Sequence, residues 1–190
     1  HKTHAAGRAA LSLGRESRRN LALAGLAWFL IIALALTGWF VVVVPLRMDI
    51  LDNDLTLVYI GARIGLEHGW SHVYSLSLQH QLFTLLRPRA PFNDGERFVS
   101  PPPLAWLVLP LVPLGAAGAT FVWLLSSLAA LVAAWWIAAP GAGLSPLRAL
   151  WLLAALAWYP VLYSLSLAQP DLLVLLVVAA SWRLAGSGRP

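Results

Sequence analysis

Three carboxylates, Asp49, Asp52 and Asp54, fall within six positions immediately after a long apolar run. Acid gathered at a membrane exit can serve several kinds of chemistry. A carboxylate near the headgroup plane can take a proton from a hydroxyl as a general base. The pair in Asp52-Asn53-Asp54 also fits a D-x-D pattern, in which two carboxylates share a divalent cation. The structural reading is simpler: Asp54 stands at the N-cap of a helix beginning at Leu55, a position that suits Asp, while Asp49 and Asp52 are solvated. Cap and base are compatible roles, because a cap holds its side chain rigidly.

Other residues nearby carry weaker signals. His68 and His72 have the i, i+4 spacing of metal ligands on a helix, but Gly69 lies between them, and solvated loop histidines are the simpler account. Arg87, Arg89 and Arg97 could clamp a phosphate, since a guanidinium matches its oxygens bidentately. The competing account of these arginines is ordinary positive charge beside lipid headgroups.

Composition then says what kind of chain must hold these groups. Hydrophobic residues make up 59% of the 190, charged residues only 11%, and mean hydropathy is +0.74. A soluble domain carries about 25% charged residues, so this composition belongs in lipid. With no cysteine, disulfides and thiolate metal sites are excluded. The net charge of +5 comes from basic residues scattered over tails and loops, without the stripe that nucleic-acid binding needs.

Leu21 to Pro45 runs 25 residues without a charge, and about 20 apolar residues cross a bilayer core. The run is longer than the roughly 7–15 residues of a signal-peptide core, and no A-x-A-like cleavage site follows, so it reads as a retained anchor. Lys2, Arg8, Arg15, Arg18 and Arg19 precede it against a single Glu16, which keeps residues 1–20 in the cytoplasm as a basic tail. Residues 46–100 then form a loop on the opposite side. Within it, Leu55, Val58, Tyr59, Ala62 and Leu66 recur at helical spacing, as do Leu78, Leu82, Leu85 and Leu86. Both segments read as amphipathic helices lying along the membrane surface, with 87–100 as loop.

Residues 101–185 contain three or four further membrane segments. The stretch 118–140 is a convincing span, 147–165 is interrupted at Pro160, and 101–114 and 170–182 are short. Four or five spans in all are expected. Since the sequence opens on His1 and stops at 186–190 just after an apolar run, it is expected to be the N-terminal part of a longer membrane protein.

The order of features in "DLTLVYIGARIGLEHGWSHVY", "SPPPLAWLVLPLVPLG" and "AQPDLLVLL" resembles that of glycosyltransferase family 87. These are polytopic GT-C-type enzymes related to polyprenyl-phosphate-mannose-dependent alpha-mannosyltransferases. The resemblance covers roughly residues 21–185 and rests on the order of the motifs. Ser100 departs from the family's tyrosine before Pro101 and Pro102, and Ala168 replaces the glycine before Gln169.

What the resemblance implies is an all-α, polytopic, GT-C-like transmembrane bundle with two surface helices in its first external loop. Asp54 matches the family's external-loop aspartate, the expected general base. Gln169 and Asp171 match a second motif with a structural or donor-facing role. The donor implied is a polyprenyl-phosphate sugar, the acceptor a glycolipid or polysaccharide, and the chemistry metal-independent and without a cofactor. Asp52, Tyr59, Arg63, Arg97, Gln169 and Asp171 are the expected substrate contacts, with Arg63 or a loop arginine stabilising the departing phosphate. Multi-pass insertion in the plasma membrane is the expected location. The alternative is a non-catalytic polytopic protein such as a transporter or flippase subunit, which buried ionisable residues within the spans would favour. Between 101 and 182 only Arg148 and Asp171 are charged, both near segment ends.

Overall fold

A computed structural model describes residues 2–92, 97–139, 143 and 145–186, which excludes part of the 87–100 loop and the chain end at 187–190. The described residues form helices and turns with no strand: α1 (Lys2–Gly38), α2 (Val44–Met48), α3 (Asp54–His68), α4 (Leu76–Leu86), α5 (Pro102–Val108), α6 (Gly115–Ala138), α7 (Pro146–Ala157), α8 (Tyr159–Ser166) and α9 (Asp171–Gly186).

The first candidate span begins in α1 and runs, as an unbroken helical path, over Ser17–Met48. Trp28, Phe29, Ile32, Leu36 and Phe40 stand exposed along it, as lipid-facing side chains do and as water would penalise. A π-helical stretch, Trp39–Val43, joins α1 to α2, and the Val44 N–H reaches back five residues to the Trp39 carbonyl. The cause lies just ahead. Pro45 has no N–H and its ring crowds the carbonyl four residues earlier, so a widened turn relieves it.

A second candidate span covers Pro102–Ala138 and includes α5, a 3-10 stretch at Leu109–Leu114 and α6. Gly115, at φ 73°, ends the 3-10 stretch in a left-handed conformation that suits glycine. Alone, α6 has 24 residues without a charge, enough to cross a bilayer core. Its buried face carries small residues: Ala116 and Ala119 lie in the core with α3 and α5, and Ala134 stands beside Leu175 and Ala179 of α9. Thr120 and Ser126 return their hydroxyl protons to carbonyls four residues back, Ala116 and Val122, and so spend their polarity locally.

The segments α7 and α8 form a third candidate, bent by 53°. Pro160 lies in the first turn of α8, where a missing N–H costs nothing, and a helix continued through it would clash. Against the four or five expected spans, the described residues contain two helices long and apolar enough to cross, or three if this bent pair is one. At 16 residues, α9 falls short of the length required.

Buried Arg148 is explained by its neighbours. Nη1 and Nη2 donate to the Gly143 and Trp136 carbonyls at 2.8 and 2.9 Å, and the guanidinium lies over the rings of Trp135 and Trp136. A cation is thus held at the C-terminal carbonyls of α6, where the helix dipole favours it. This is the work of a helix cap, which removes Arg148 as an argument for a substrate pathway.

One expectation needs correction. The helix α3 does not lie along a surface. Leu55, Val58, Tyr59 and Ala62 pack against α5 and α6, while Ile60 and Ile64 pack on Leu82 and Phe83 of α4. Both flanks are buried, leaving Leu66, Glu67 and His68 exposed at the far end. Only α4 keeps one buried face, Gln79, Leu82 and Phe83, opposite an exposed one that includes Leu85.

Candidate active site

Between α2 and α3 the chain turns through residues 49–53, and the turn is tied by its own side chains. The Asp49 Oδ1 accepts from the Leu51 N–H at 2.9 Å, and Asn53 Nδ2 donates to the Ile50 carbonyl at 2.6 Å. Thr56 Oγ1 donates to the Leu51 carbonyl at 2.8 Å. Asn53 Oδ1 then accepts from the Thr56 N–H at 3.1 Å, which makes Asn53 the N-cap of α3. The expected cap, Asp54, is instead the first helical residue. That shift of one position releases the Asp54 carboxylate from capping.

The partner it takes comes from far along the chain. Gln169 Nε2 donates to Asp54 Oδ2 at 2.9 Å across 115 residues of sequence. Asp54 also donates its backbone N–H to the Leu167 carbonyl at 3.0 Å. The turn that supplies both groups closes α8. The Gln169 N–H bonds the Ser164 carbonyl at 2.9 Å, the Ala168 N–H bonds that of Leu165 at 3.1 Å, and Ala168 has φ 51°. This is a Schellman cap with alanine at the left-handed position, where glycine is usual. The cost of that conformation for an L-residue, roughly 1–2 kcal/mol, gives a physical reason for a glycine in the family motif. Asp171, at the start of α9, accepts from Ser164 Oγ at 3.1 Å and braces the same turn.

Opposite Asp54 stands Arg87, at the C-terminal end of α4 over the ring of Phe83. Its Nη2 lies 2.8 Å from Asp49 Oδ2 and 2.9 Å from Asp52 Oδ1, and its Nε donates to Asp49 Oδ2 at 2.9 Å. The Arg87 side chain is only 13% exposed, that of Asp49 38% and that of Asp52 70%. Solvent screening therefore ranks the two pairs. Removing Arg87 with leucine is expected to cost about 1–2 kcal/mol of stability, with a coupling to Asp49 near 1 kcal/mol and to Asp52 under about 0.5 kcal/mol. Double-mutant cycles on thermal unfolding check this; equal couplings would show that exposure does not set the order.

These groups line an open cavity of about 240 Å³, with the exposed Asp52 and Asp54 and the half-buried Arg87 as its charged lining and Leu57, Phe83 and Leu167 as apolar walls. Two carboxylates against one guanidinium leave it acidic. With Oδ2 of Asp54 engaged by Gln169, Oδ1 remains to accept a proton. The arrangement suits a hydroxyl-bearing, uncharged ligand set beside a base.

Not every expected residue gathers here. Asp52 and Asp54 line the same cavity, Gln169 bonds Asp54, and Asp171 supports the turn that carries Gln169. Tyr59 does not: it is buried in the core, and its hydroxyl donates to the Val112 carbonyl at 3.2 Å. Arg63 binds Glu67 at 2.7 Å one turn further on. It lies nine positions beyond Asp54, about 13 Å along the helix axis, too far to serve the same reacting atoms. Arg97 is exposed beside Phe98, whose ring packs over Gly61, away from the cavity. Arg87, one of three loop arginines of equal standing in the sequence, is the one the fold selects. The D-x-D pair is divided, with Asp52 turned to Arg87 and Asp54 to Gln169. His68 is exposed, and His72 Nδ1 pairs with Ser71 Oγ at 3.1 Å. Among the described residues no group of three or more potential metal ligands occurs.

No curated protein and no solved structure matches the chain. A family model does match, over residues 98–190, the part that contains α5 to α9 and the turn carrying Gln169 and Asp171; Asp54 and Arg87 precede it. The matching model is that of glycosyltransferase family 87, and it supports that family for this chain.

Proposed function

We propose that this glycosyltransferase moves a sugar, mannose in the first instance, from a polyprenyl-phosphate carrier to a glycolipid or polysaccharide acceptor. The reaction takes place on the extracytoplasmic side of the plasma membrane, with the N-terminus in the cytoplasm. The observation that carries this reading is the Asp54 carboxylate, released from capping and held by Gln169 in an acidic cavity directly beyond the first span.

In this reading the cavity holds the acceptor. Asp54 Oδ1 takes the proton of the attacking hydroxyl as its oxygen bonds the anomeric carbon. The bond from that carbon to the phosphate oxygen breaks at the same time, and the electron pair leaves with the phosphate. A single displacement of this kind inverts the anomeric centre. Arg87 replaces Arg63 as the guanidinium nearest the departing charge. Because Arg87 already carries Asp49 and Asp52, only part of its charge is available, which fits a monophosphate better than a diphosphate leaving group.

Full-length protein in membranes is expected to transfer labelled mannose from polyprenyl-phosphate-mannose, and not directly from a nucleotide sugar. Transfer is expected to survive excess chelator unchanged. Dependence on a nucleotide sugar, or loss of transfer on chelation with recovery on adding a divalent cation, would overturn the donor assignment.

A further inference from the structure

We propose that Gln169 is a positioning residue for the base: it sets the orientation of the Asp54 carboxylate and leaves one oxygen free for the acceptor proton. The inference rests on Asp54 acting as the base. Nothing about it follows from Gln169 touching a substrate.

Three features support it. An ionised carboxylate only accepts hydrogen bonds, so the group facing Oδ2 at 2.9 Å must be the amide NH2 of Gln169. An amide is uncharged and takes up no proton at working pH, so it can hold the base without competing for the proton. Secondly, the same turn grips Asp54 twice, by the Leu167 carbonyl at its backbone and by Gln169 at its side chain. Backbone and side chain of the base are thereby fixed to one rigid object. Thirdly, that object is itself over-determined. Its Schellman bonds, the left-handed Ala168 buried to 3% exposure, and the Ser164–Asp171 hydrogen bond leave Gln169 little freedom of its own.

A tether that merely joined the two halves of the chain would affect stability and both kinetic constants together. A positioning contact acts on the chemical step, because a base displaced by about 1 Å loses on the order of 10²-fold in rate. The experiment uses membranes carrying the full-length protein, with polyprenyl-phosphate-mannose as donor and membrane glycolipid as acceptor, and compares each variant with the wild type at equal protein. Gln169→Ala is expected to lower kcat by about 10- to 100-fold with KM within about twofold. Gln169→Glu keeps the shape. Its neutral carboxyl can donate to Oδ2 as the amide does, whereas its ionised form repels Asp54. Its activity is therefore expected to peak at lower pH than that of the wild type and to fall by about tenfold or more on the alkaline side.

Wild-type kcat in Gln169→Ala while Asp54→Asn is inactive would remove the positioning role and leave the base assignment standing. Full activity in Asp54→Asn would remove both. A Gln169→Glu profile that is depressed equally at every pH, in protein of wild-type thermal stability, would also overturn the proposal.

Discussion

Changing Asp54 to asparagine is expected to lower sugar transfer by about 10³-fold or more while leaving the protein folded in the membrane. A general base contributes roughly 10²–10⁴-fold, and asparagine cannot accept the proton. The substitution is otherwise gentle. Its side-chain oxygen can still receive the Gln169 amide, and the Asp54 N–H to Leu167 hydrogen bond belongs to the backbone. Asn53 remains the cap of α3. The structural loss is one negative charge in the first helical turn, about 0.3–1 kcal/mol through the helix dipole. Activity and stability are thus expected to separate by several kcal/mol, which a structural role for Asp54 cannot produce. Transfer assays on membranes carrying equal amounts of the two proteins decide the matter. A rate within tenfold of the wild type sinks Asp54 as base.

The largest effect on stability is expected far from that carboxylate, at Gln79. This side chain is 2% exposed and serves three backbone groups. Nε2 donates to the Val73 and Phe98 carbonyls at 3.0 and 3.3 Å, and Oε1 accepts from the Phe98 N–H at 2.8 Å. It does for the extended segment around Phe98 what a neighbouring strand would do in a sheet. The ring of Phe98 then seals the gap over Gly61, where a Cβ would come within 2.8 Å of it. Tyr74 stacks on the same ring and donates to the Ser100 carbonyl at 3.0 Å, a contact with backbone that does not depend on the residue type at 100. Gln79→Ala strands three buried polar groups at once. Each costs about 1–3 kcal/mol when unmet, and water entering the vacated space offsets part of this, so a net loss of about 3 kcal/mol is expected. Equilibrium unfolding of the purified protein in detergent measures it; a loss below 1 kcal/mol would show that the segment 97–100 is held by its ring contacts alone.

Much of the local structure was legible in residue order. The first candidate span follows from a run without charge, and the break before Pro160 follows from the missing N–H and the proline ring. Helices over 54–68 and 76–86 follow from apolar spacing to within a residue or two. The depth of α3 did not follow. Ile60 and Ile64 share a face with Arg63 and Glu67, and periodicity assigns a mixed face to the surface. It becomes interior because α4 covers the apolar half of it, while the Arg63–Glu67 pair sits at the uncovered rim.

The cap shows the same limit on a smaller scale. Asn and Asp are equally good caps, so "DND" offers three adjacent choices, and local chemistry cannot rank them. The rank comes from the turn as folded, in which Asn53 both donates to the Ile50 carbonyl and accepts from the Thr56 N–H, while the Leu167 carbonyl takes the orphan N–H of Asp54.

By itself, then, the sequence determined a helical chain with long apolar segments, the end of the first of them, and the carboxylates gathered just after it, because composition and short-range periodicity are properties of neighbours along the chain. The tertiary structure alone decided that Gln169 meets Asp54, that Arg87 and not Arg63 or Arg97 faces the cavity, and that Tyr59 is core. Those pairings join residues dozens of positions apart. They depend on how α8, α3 and α4 stack, and hydrogen bonds of about 3 Å are made or lost by packing shifts that residue spacing does not encode.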